Sequence, residues 1–321
     1  MTIIVNKVQI EKFLDNYNIG KLILYCRMKK GFGNLIYKII TEKGKFILKI
    51  AIRNNPIMVK YEIELLNYIK RLSTPQLIRD KNNKILLNFN NTNKAFIYKY
   101  IDGKTVHSYS CEMVSSVGEF LGKLHNQTIK FNSNIRRLEF YNISKKSFNK
   151  MIFVSKKTKN KKIKNAVLYI ERQFLNYILP KSLPRGAMHI DLKAENVLIK
   201  NKKISGIIDF DNSYNGPLIF DLANTIMWFC SKGGNFDFEK AILIFSGYIK
   251  KRKLLSIEKR FFYKALHYSF LSHMLVDIYL LVSKKDRLSH KYIIWGIENL
   301  LETQKNLNLL ENDFNKMFKL I

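Results

Sequence analysis

The stretch MHIDLKAENVLI, residues 188–199, holds a histidine, an aspartate and an asparagine between apolar residues. Its pattern is H-x-D-x-x-x-x-N, made by His189, Asp191 and Asn196. The apolar run at 197–199 is too short for a helix and predicts a strand, so the segment from Asp191 to Asn196 is expected to form the loop before it. A carboxylate and an amide on one loop can accept a proton and bind a metal ion, respectively.

A second stretch, GIIDFDNSYNG, places Asp209 at the end of another apolar run, thirteen residues after Asn196. The segments NVLIK and SGIIDF, joined by NKKI, predict a hairpin with Asn196 and Asp209 at the same end. Amide and carboxylate oxygens suit a hard cation such as Mg²⁺. This pattern indicates kinase-type phosphoryl transfer, in which Asp191 accepts the proton of the acceptor hydroxyl. Taken singly, each of these residues could also be a polar cap of a loop.

The first hundred residues predict a nucleotide-binding region. LIYKIITEKGKFILKIAI reads as a β-hairpin that turns at Gly44, and MVKYEIELLNYIKRL reads as an amphipathic helix. Lys49 lies on the apolar second strand, where pairing with phosphate oxygens would explain it. Glu62 on the helix is the expected ion-pair partner and Glu64 the alternative. The other interpretation of Lys49 is an edge-strand lysine that faces water.

Two further segments support that region. The loop KKGFGNLIYKI carries Gly31 and Gly33, whose backbone N–H groups could approach phosphates, and Asn34 could add a polar contact. The loop lacks the third glycine of a full kinase glycine-rich loop. KILLNF and AFIYKYI predict a second strand pair.

The organisation of the chain predicts an α+β fold. From about residue 110 the patterns are mainly helical, and CEMVSSVGEFLGKLHNQ is one clear helix. A β-rich lobe at 1–98 is therefore expected to precede a larger helical lobe at 99–321.

Composition limits the function classes. The 321 residues are 47% hydrophobic and carry three scattered cysteines, which predicts a folded cytoplasmic protein with neither a disulfide framework nor a cysteine metal site. The segment YSFLSHMLVDIYLLV, residues 268–282, reads as a buried helix too short to span a bilayer, so no membrane partner is expected.

The net charge of +31 is spread along the chain, which makes a nucleic-acid partner unlikely. The one dense basic run, KKTKNKKIKN at 156–165, reads as a solvated loop or helix face, or as a patch that attracts phosphates or an acidic partner.

The motifs together resemble the aminoglycoside phosphotransferase and choline kinase family of the protein-kinase-like fold. The resemblance covers most of the chain and rests on GFGNLIYKI, FILKI, YEIELLNYI, IYKYIDG, GEFLGKLH, HIDLKAENVLI and GIIDFDNSYNGPLIFDLA. It implies a two-lobed kinase-like molecule that uses ATP and Mg²⁺ and phosphorylates the hydroxyl of a small molecule.

The resemblance also implies roles for particular residues. Asp191 would be the catalytic base, and Asn196 and Asp209 would bind Mg²⁺. Lys49 and Glu62 would position the nucleotide phosphates.

Other positions follow from the same likeness. His189 would brace the catalytic loop, and Asp221 in FDLA would hold it through hydrogen bonds. Residues 96–103 would form the hinge against the nucleotide base, with Tyr98 and Tyr100 as its contacts.

Within the family the chain is most similar to homoserine kinases, although Met227-Trp228 replaces a polar pair before Phe229-Cys230. The alternatives are an aminoglycoside or a choline/ethanolamine-type phosphotransferase and a non-catalytic kinase-like protein.

A protein kinase is a further alternative, because Lys193 stands two residues after Asp191 as in Ser/Thr kinases. Lys193 could stabilise charge on the transferred phosphoryl group, or it could face solvent. Against a protein kinase, the metal motif reads Asp-Phe-Asp, no Ala-Pro-Glu follows, and only eleven residues separate Asp209 from Asp221.

Overall fold

The computed structural model describes residues 5–28, 34–52, 56–135, 137, 139, 141–284, 289–305 and 307–320. Side chains are described in these ranges except at 284, 289–291, 301–305, 307–309 and 320. The chain divides into two compact units. The first contains residues 1–104, 132–137 and 197–211, and the second contains residues 105–131, 138–196 and 212–321.

The first unit is built on an antiparallel sheet of short strands: β1 (Leu22–Arg27), β2 (Leu35–Thr41), β3 (Gly44–Ala51), β4 (Leu77–Ile78), β5 (Leu87–Asn88) and β6 (Lys94–Lys99). The strand order is β1-β2-β3-β6-β4, and β5 also pairs with β6. The β2–β3 hairpin and the β5–β6 pair agree with the strands expected from sequence. Gly44 has a φ of 137° in the hairpin turn, a conformation that favours glycine.

Two helices accompany this sheet, α1 (Lys7–Leu14) and α2 (Pro56–Tyr68). Helix α1 buries Ile10, Phe13 and Leu14 in the same hydrophobic cluster as the buried residues of β2 and β3. Helix α2 begins two residues earlier and ends four residues earlier than the sequence pattern predicted, at Tyr68.

A ribbon of two strands, β8 (Val197–Lys200) and β9 (Lys203–Ile207), also belongs to the first unit. Val197 pairs with Ile207, so the predicted hairpin forms. Lys104 and Ile199 exchange backbone hydrogen bonds of 3.0 and 2.9 Å. A Cβ at Gly103 would lie 2.4 Å from Ser205 Oγ, so only glycine fits this contact. These contacts group the ribbon with residues 1–104, whereas the sequence placed a single boundary between 98 and 99.

The second unit is mainly helical. Its helices are α3 (Cys111–Thr128), α4 (Lys145–Ser155), α5 (Lys161–Gln173), α6 (Leu218–Cys230), α7 (Phe238–Ile249), α8 (Ser256–Lys284), α9 (Ser289–Lys305) and α10 (Leu307–Leu320). Short antiparallel pairs join β7 (Arg185–Met188) to β10 (Tyr214–Pro217), and β11 (Ser231–Lys232) to β12 (Asn235–Phe236).

Glycines let helices α3 and α7 approach closely. A Cβ at Gly118 would lie 2.0 Å from the carbonyl oxygen of Ile244, and one at Gly247 would lie 1.9 Å from that of Ser115. Any side chain at either position would force the helices apart. This close approach brings His125 of α3 next to Tyr248 of α7.

Helix α8 corrects one expectation from the sequence. It is 29 residues long. Among the described residues, α8 is a helix whose length and apolar composition would be sufficient to cross a membrane. The sequence pattern had suggested a segment too short for this. Of its most apolar window 72% is buried inside the protein, as in a core helix.

The basic run at 156–165 begins at the C-cap residue of α4, Lys156, and continues into the first turn of α5. Asn160 caps α5 by accepting hydrogen bonds from the backbone of Lys162 and Ile163. The lysines of the run are exposed, while Ile163 is buried. The segment is therefore a solvated helix start in the second unit.

Candidate active site

In the first unit, Lys49 and Glu62 form a buried ion pair. Lys49 Nζ lies 2.8 Å from Glu62 Oε1 and 2.9 Å from Oε2, and both residues are 3% exposed. The alternative partner, Glu64, instead accepts a hydrogen bond of 2.6 Å from Ser133 Oγ. A lysine in the middle of a sheet is therefore held with its ammonium fixed in place.

Asp211 is a functional candidate that the sequence reasoning missed. Its Oδ1 also contacts Lys49 Nζ, and its Oδ2 accepts a hydrogen bond of 2.7 Å from Asn34 Nδ2. Asn34 in turn accepts a hydrogen bond of 3.1 Å from the backbone of Ile52. Lys49 thus faces two carboxylates. The available signal was the second acid of Asp-Phe-Asp, which had been read only as a departure from the protein-kinase motif.

The other residues expected near the nucleotide have varied surroundings. Gly31 and Gly33 lie outside the described residues. Tyr98 ends the buried part of β6, and burial together with the charges of Glu62 and Asp209 raises its pKa, so its phenol stays neutral. Tyr100 lies under the ammonium of Lys38, 4.5 Å from the ring centroid.

Asp209 lies two residues beyond β9 in the first unit. It is exposed and has a φ of 71°, which is uncommon for a residue with a side chain. Within the described part of the chain, its carboxylate has no ion-pair partner. An exposed carboxylate at a strained backbone position is typical of a functional site.

In the second unit, Asp221 holds the loop that carries Asp191. It is fully buried, and its carboxylate accepts hydrogen bonds from the backbone N–H of His189 at 2.7 Å and of Ile190 at 2.8 Å. Ile190 has a φ of 62°, a rare conformation for a β-branched residue, and its carbonyl also accepts a hydrogen bond from Asn224 Nδ2. The strained turn before Asp191 is therefore fixed from both sides.

A chain of buried groups supports Asp221. Arg252 donates to the hydroxyl of Tyr248 at 2.9 Å, so this hydroxyl donates to His125 Nδ1 at 2.8 Å. His125 Nε2 then carries the proton and donates to Asp221 at 3.0 Å. Burial lowers the pKa of His125, which agrees with a neutral imidazole. His125 is thus a structural histidine.

Asp191 is 7% exposed and has defined neighbours. Its backbone N–H donates to His189 Nδ1 at 3.3 Å, which is the bracing expected of His189. Its Oδ2 lies 3.0 Å from Lys193 Nζ. Lys193 is only 19% exposed in its side chain, so it does not face solvent. A carboxylate in this position can act as a proton acceptor beside a fixed positive charge.

Each unit offers an oxygen donor of the kind that a hard divalent cation takes. In the second unit, Asn196 Nδ2 donates to the backbone oxygen of Asp191 at 2.7 Å, which leaves Asn196 Oδ1 available for another contact. Asp209 offers an exposed carboxylate. Within the described residues no group of three His, Cys, Asp or Glu residues could hold a metal.

Comparison with known proteins identifies the family. Residues 25–241, more than half of the chain, match the model of a phosphotransferase enzyme family. The chain belongs to this family. The match includes Lys49, Glu62, the catalytic loop and Asp221, and the family is the one that the sequence motifs indicated. The protein is a small-molecule phosphotransferase.

Curated relatives support the homoserine kinase-like branch. The chain is 27% identical over 263 residues to a homoserine kinase of Methylocella silvestris, covering 80% of each chain. It is 26% identical over 262 residues to a homoserine kinase of Rhodopseudomonas palustris, covering 78% of this chain and 77% of the relative.

Solved structures show the same protein-kinase-like fold. An amicoumacin kinase in complex with AMP-PNP and Ca²⁺ has a TM-score of 0.70 at 15% identity and covers 94% of each chain. A microcompartment-associated aminopropanol kinase has a TM-score of 0.71 at 14% identity, covering 95% of this chain and 99% of that one. The expected α+β, kinase-like fold is confirmed.

Proposed function

We propose that the protein is an ATP- and Mg²⁺-dependent kinase that phosphorylates the side-chain hydroxyl of a small amino acid, with homoserine as the first candidate. The observation that carries this proposal is Asp191, a nearly buried carboxylate in a turn that Asp221 and Asn224 hold in a strained conformation. Such pre-organisation suits a group that must meet a hydroxyl in one geometry.

In the proposed reaction Asp191 orients the acceptor hydroxyl and takes its proton as the γ-phosphoryl group is transferred. His189 keeps the loop backbone in place through its ring nitrogen. Lys193 supplies positive charge beside Asp191, where negative charge gathers on the transferred group. These residues contribute positioning and charge stabilisation.

The nucleotide would be held by the first unit. Glu62 fixes the ammonium of Lys49, which would pair with phosphate oxygens. Asn196 and Asp209 are the residues that would hold Mg²⁺, which would neutralise phosphate charge. The related structures that contain AMP-PNP or ADP support a nucleotide substrate.

Two observations favour an amino-acid acceptor. The curated relatives are homoserine kinases that match about four fifths of the chain. The ammonium of Lys193 lies beside Asp191, where it would attract the carboxylate of an amino-acid acceptor. A peptide acceptor is disfavoured because α6 begins at Leu218, only nine residues after Asp209, which leaves no room for an activation segment.

The test is ADP release from Mg·ATP with a panel of homoserine, choline, ethanolamine, an amino propanol and aminoglycosides. We expect turnover with homoserine and its loss by at least about a thousandfold in Asp191→Ala, because general-base catalysis and positioning act together. ATP binding should remain in that variant. Asp15→Ala, which removes an exposed aspartate after α1, is the matched control.

Turnover of Asp191→Ala within a few-fold of the unchanged protein would refute the role of Asp191. Turnover with another acceptor alone would refute homoserine and retain the kinase. ATP binding without turnover on any acceptor of the panel would refute the proposed substrate class.

A further inference from the structure

Lys193 lies against two aromatic rings as well as against Asp191. Its Nζ is 5.2 Å from the centroid of the Trp228 ring and 5.3 Å from that of Tyr292. Both distances are within the range of cation–π attraction. We call Trp228 and Tyr292 the aromatic clamp.

The clamp is itself fixed by its neighbours. Trp228 stacks on Trp295 with ring centroids 4.7 Å apart and meets Tyr292 edge to face at 5.9 Å. The Tyr292 hydroxyl donates to Glu195 Oε2 at 3.2 Å. Trp295 Nε1 donates to the backbone oxygen of Ser231 at 3.3 Å. The two rings therefore cannot turn freely.

His273 keeps the rear of the clamp uncharged. Its ring meets Trp228 edge to face at 5.3 Å and stacks on Tyr141 at 3.7 Å. Burial, and then the charge of Lys193, hold the pKa of His273 well below its usual range. The imidazole is neutral, so it adds no second positive charge behind the rings.

A free lysine side chain has four rotatable bonds and loses considerable entropy when one position is required. At Lys193 the two rings and the Asp191 carboxylate define one position for the ammonium. Attraction to the rings also reduces the need for water around the charge. This explains why the lysine is directed inward although its loop is near the surface.

We propose that the aromatic clamp holds the Lys193 ammonium beside Asp191, so that Trp228 and Tyr292 are positioning residues for phosphoryl transfer. This inference rests on the proposed kinase function. The ammonium would stabilise negative charge on the transferred group, and the rings act only through it.

The kinetic test is a double-mutant cycle with Trp228→Leu and Lys193→Met in the homoserine-dependent assay. Each single change should lower kcat about tenfold, within the range expected for loss of a desolvated cation–π contact, and leave the KM for ATP nearly unchanged. In the Lys193→Met background, Trp228→Leu should lower kcat no further, because its effect passes through the lysine. If the kcat of the double variant falls by the product of the two single losses, the proposal is overturned.

Conservative variants separate positioning from packing. Trp228→Phe and Tyr292→Phe keep an aromatic face, so kcat should stay within about threefold. Tyr292→Leu removes the aromatic ring at a half-buried position, and it replaces Trp228→Leu in the test if that variant does not fold. Equal losses for Tyr292→Phe and Tyr292→Leu would contradict the clamp.

A spectroscopic test does not depend on turnover. The chain has two tryptophans, so Trp295→Phe leaves Trp228 as the sole reporter. Lys193→Met in that background should change the emission of Trp228, whereas Lys232→Met, at an exposed lysine on β11, should not. Equal spectra for all three proteins would refute the clamp even if the kinase function holds. A spectral change in a protein without turnover would support the clamp while the kinase function fails.

Discussion

Asp221→Ala should destabilise the second unit strongly. The change removes the acceptor of two buried backbone N–H groups, those of His189 and Ile190, and of His125 Nε2. A buried donor left without a partner costs about 1–3 kcal/mol, so the two N–H groups together cost about 4 kcal/mol. Release of the strained backbone at Ile190 offsets part of this cost.

The measurement is denaturant unfolding followed by tryptophan fluorescence, since both tryptophans lie in the second unit. Asp221→Asn keeps one acceptor oxygen and should lose about half as much. Asp237→Ala removes the cap of α7 and a half-exposed ion pair with Lys240, and about 1 kcal/mol is expected there. A loss below 1 kcal/mol for Asp221→Ala would refute the idea that this carboxylate holds the loop.

Three further outcomes are expected. Burial lowers the pKa of His267 from 6.5 to about 4, so the unfolded chain binds a proton at His267 before the folded protein does as the pH falls. The contribution of His267 to stability is therefore full above about pH 6.5 and falls by about 3 kcal/mol as the pH drops to 4. His267→Gln should reduce this pH dependence in unfolding titrations. Gly118→Ala should lower the melting temperature, because its Cβ would collide with the carbonyl oxygen of Ile244. Gly296→Ala, whose Cβ would meet no atom closer than 3.7 Å, should not lower it. Equal melting temperatures for the two variants would contradict the close packing of α3 against α7. Lys49→Met should cost about 3 kcal/mol by leaving Glu62 buried without its cation. Asp211, the other carboxylate on Lys49, is 21% exposed in its side chain and can be solvated, so Lys49→Met/Glu62→Met should recover most of the loss in the same unfolding measurement. A double variant no more stable than the single one would count against the pair.

Local sequence patterns predicted much of this protein. Two apolar, β-rich runs on either side of TEKGK predicted a hairpin, and that hairpin forms between β2 and β3. The short apolar runs around NKKI likewise predicted the β8–β9 ribbon. Such patterns are readable because strand pairing across a short turn depends on neighbouring residues only.

Contacts between distant residues could not be read in the same way. Asp211 contacts Lys49, 162 residues earlier in the chain, and the apolar pattern around each residue carries no record of that contact. Backbone hydrogen bonds between Lys104 and Ile199 group the ribbon with residues 1–104, which the single boundary between 98 and 99 did not anticipate. Helix α8 is longer than its apolar segment because polar residues before residue 268 continue the same helix.

The amino-acid sequence by itself indicated the phosphotransferase class, because the spacing of Asp191 and Asn196 is contained within one loop. Tertiary structure alone decided how that loop is held and what surrounds its lysine. Asp221 follows Asp191 by thirty residues, and Tyr292 follows Lys193 by ninety-nine. Hydrogen bonds and cation–π contacts depend on distances of a few ångströms, which only the packed helices of the second unit establish.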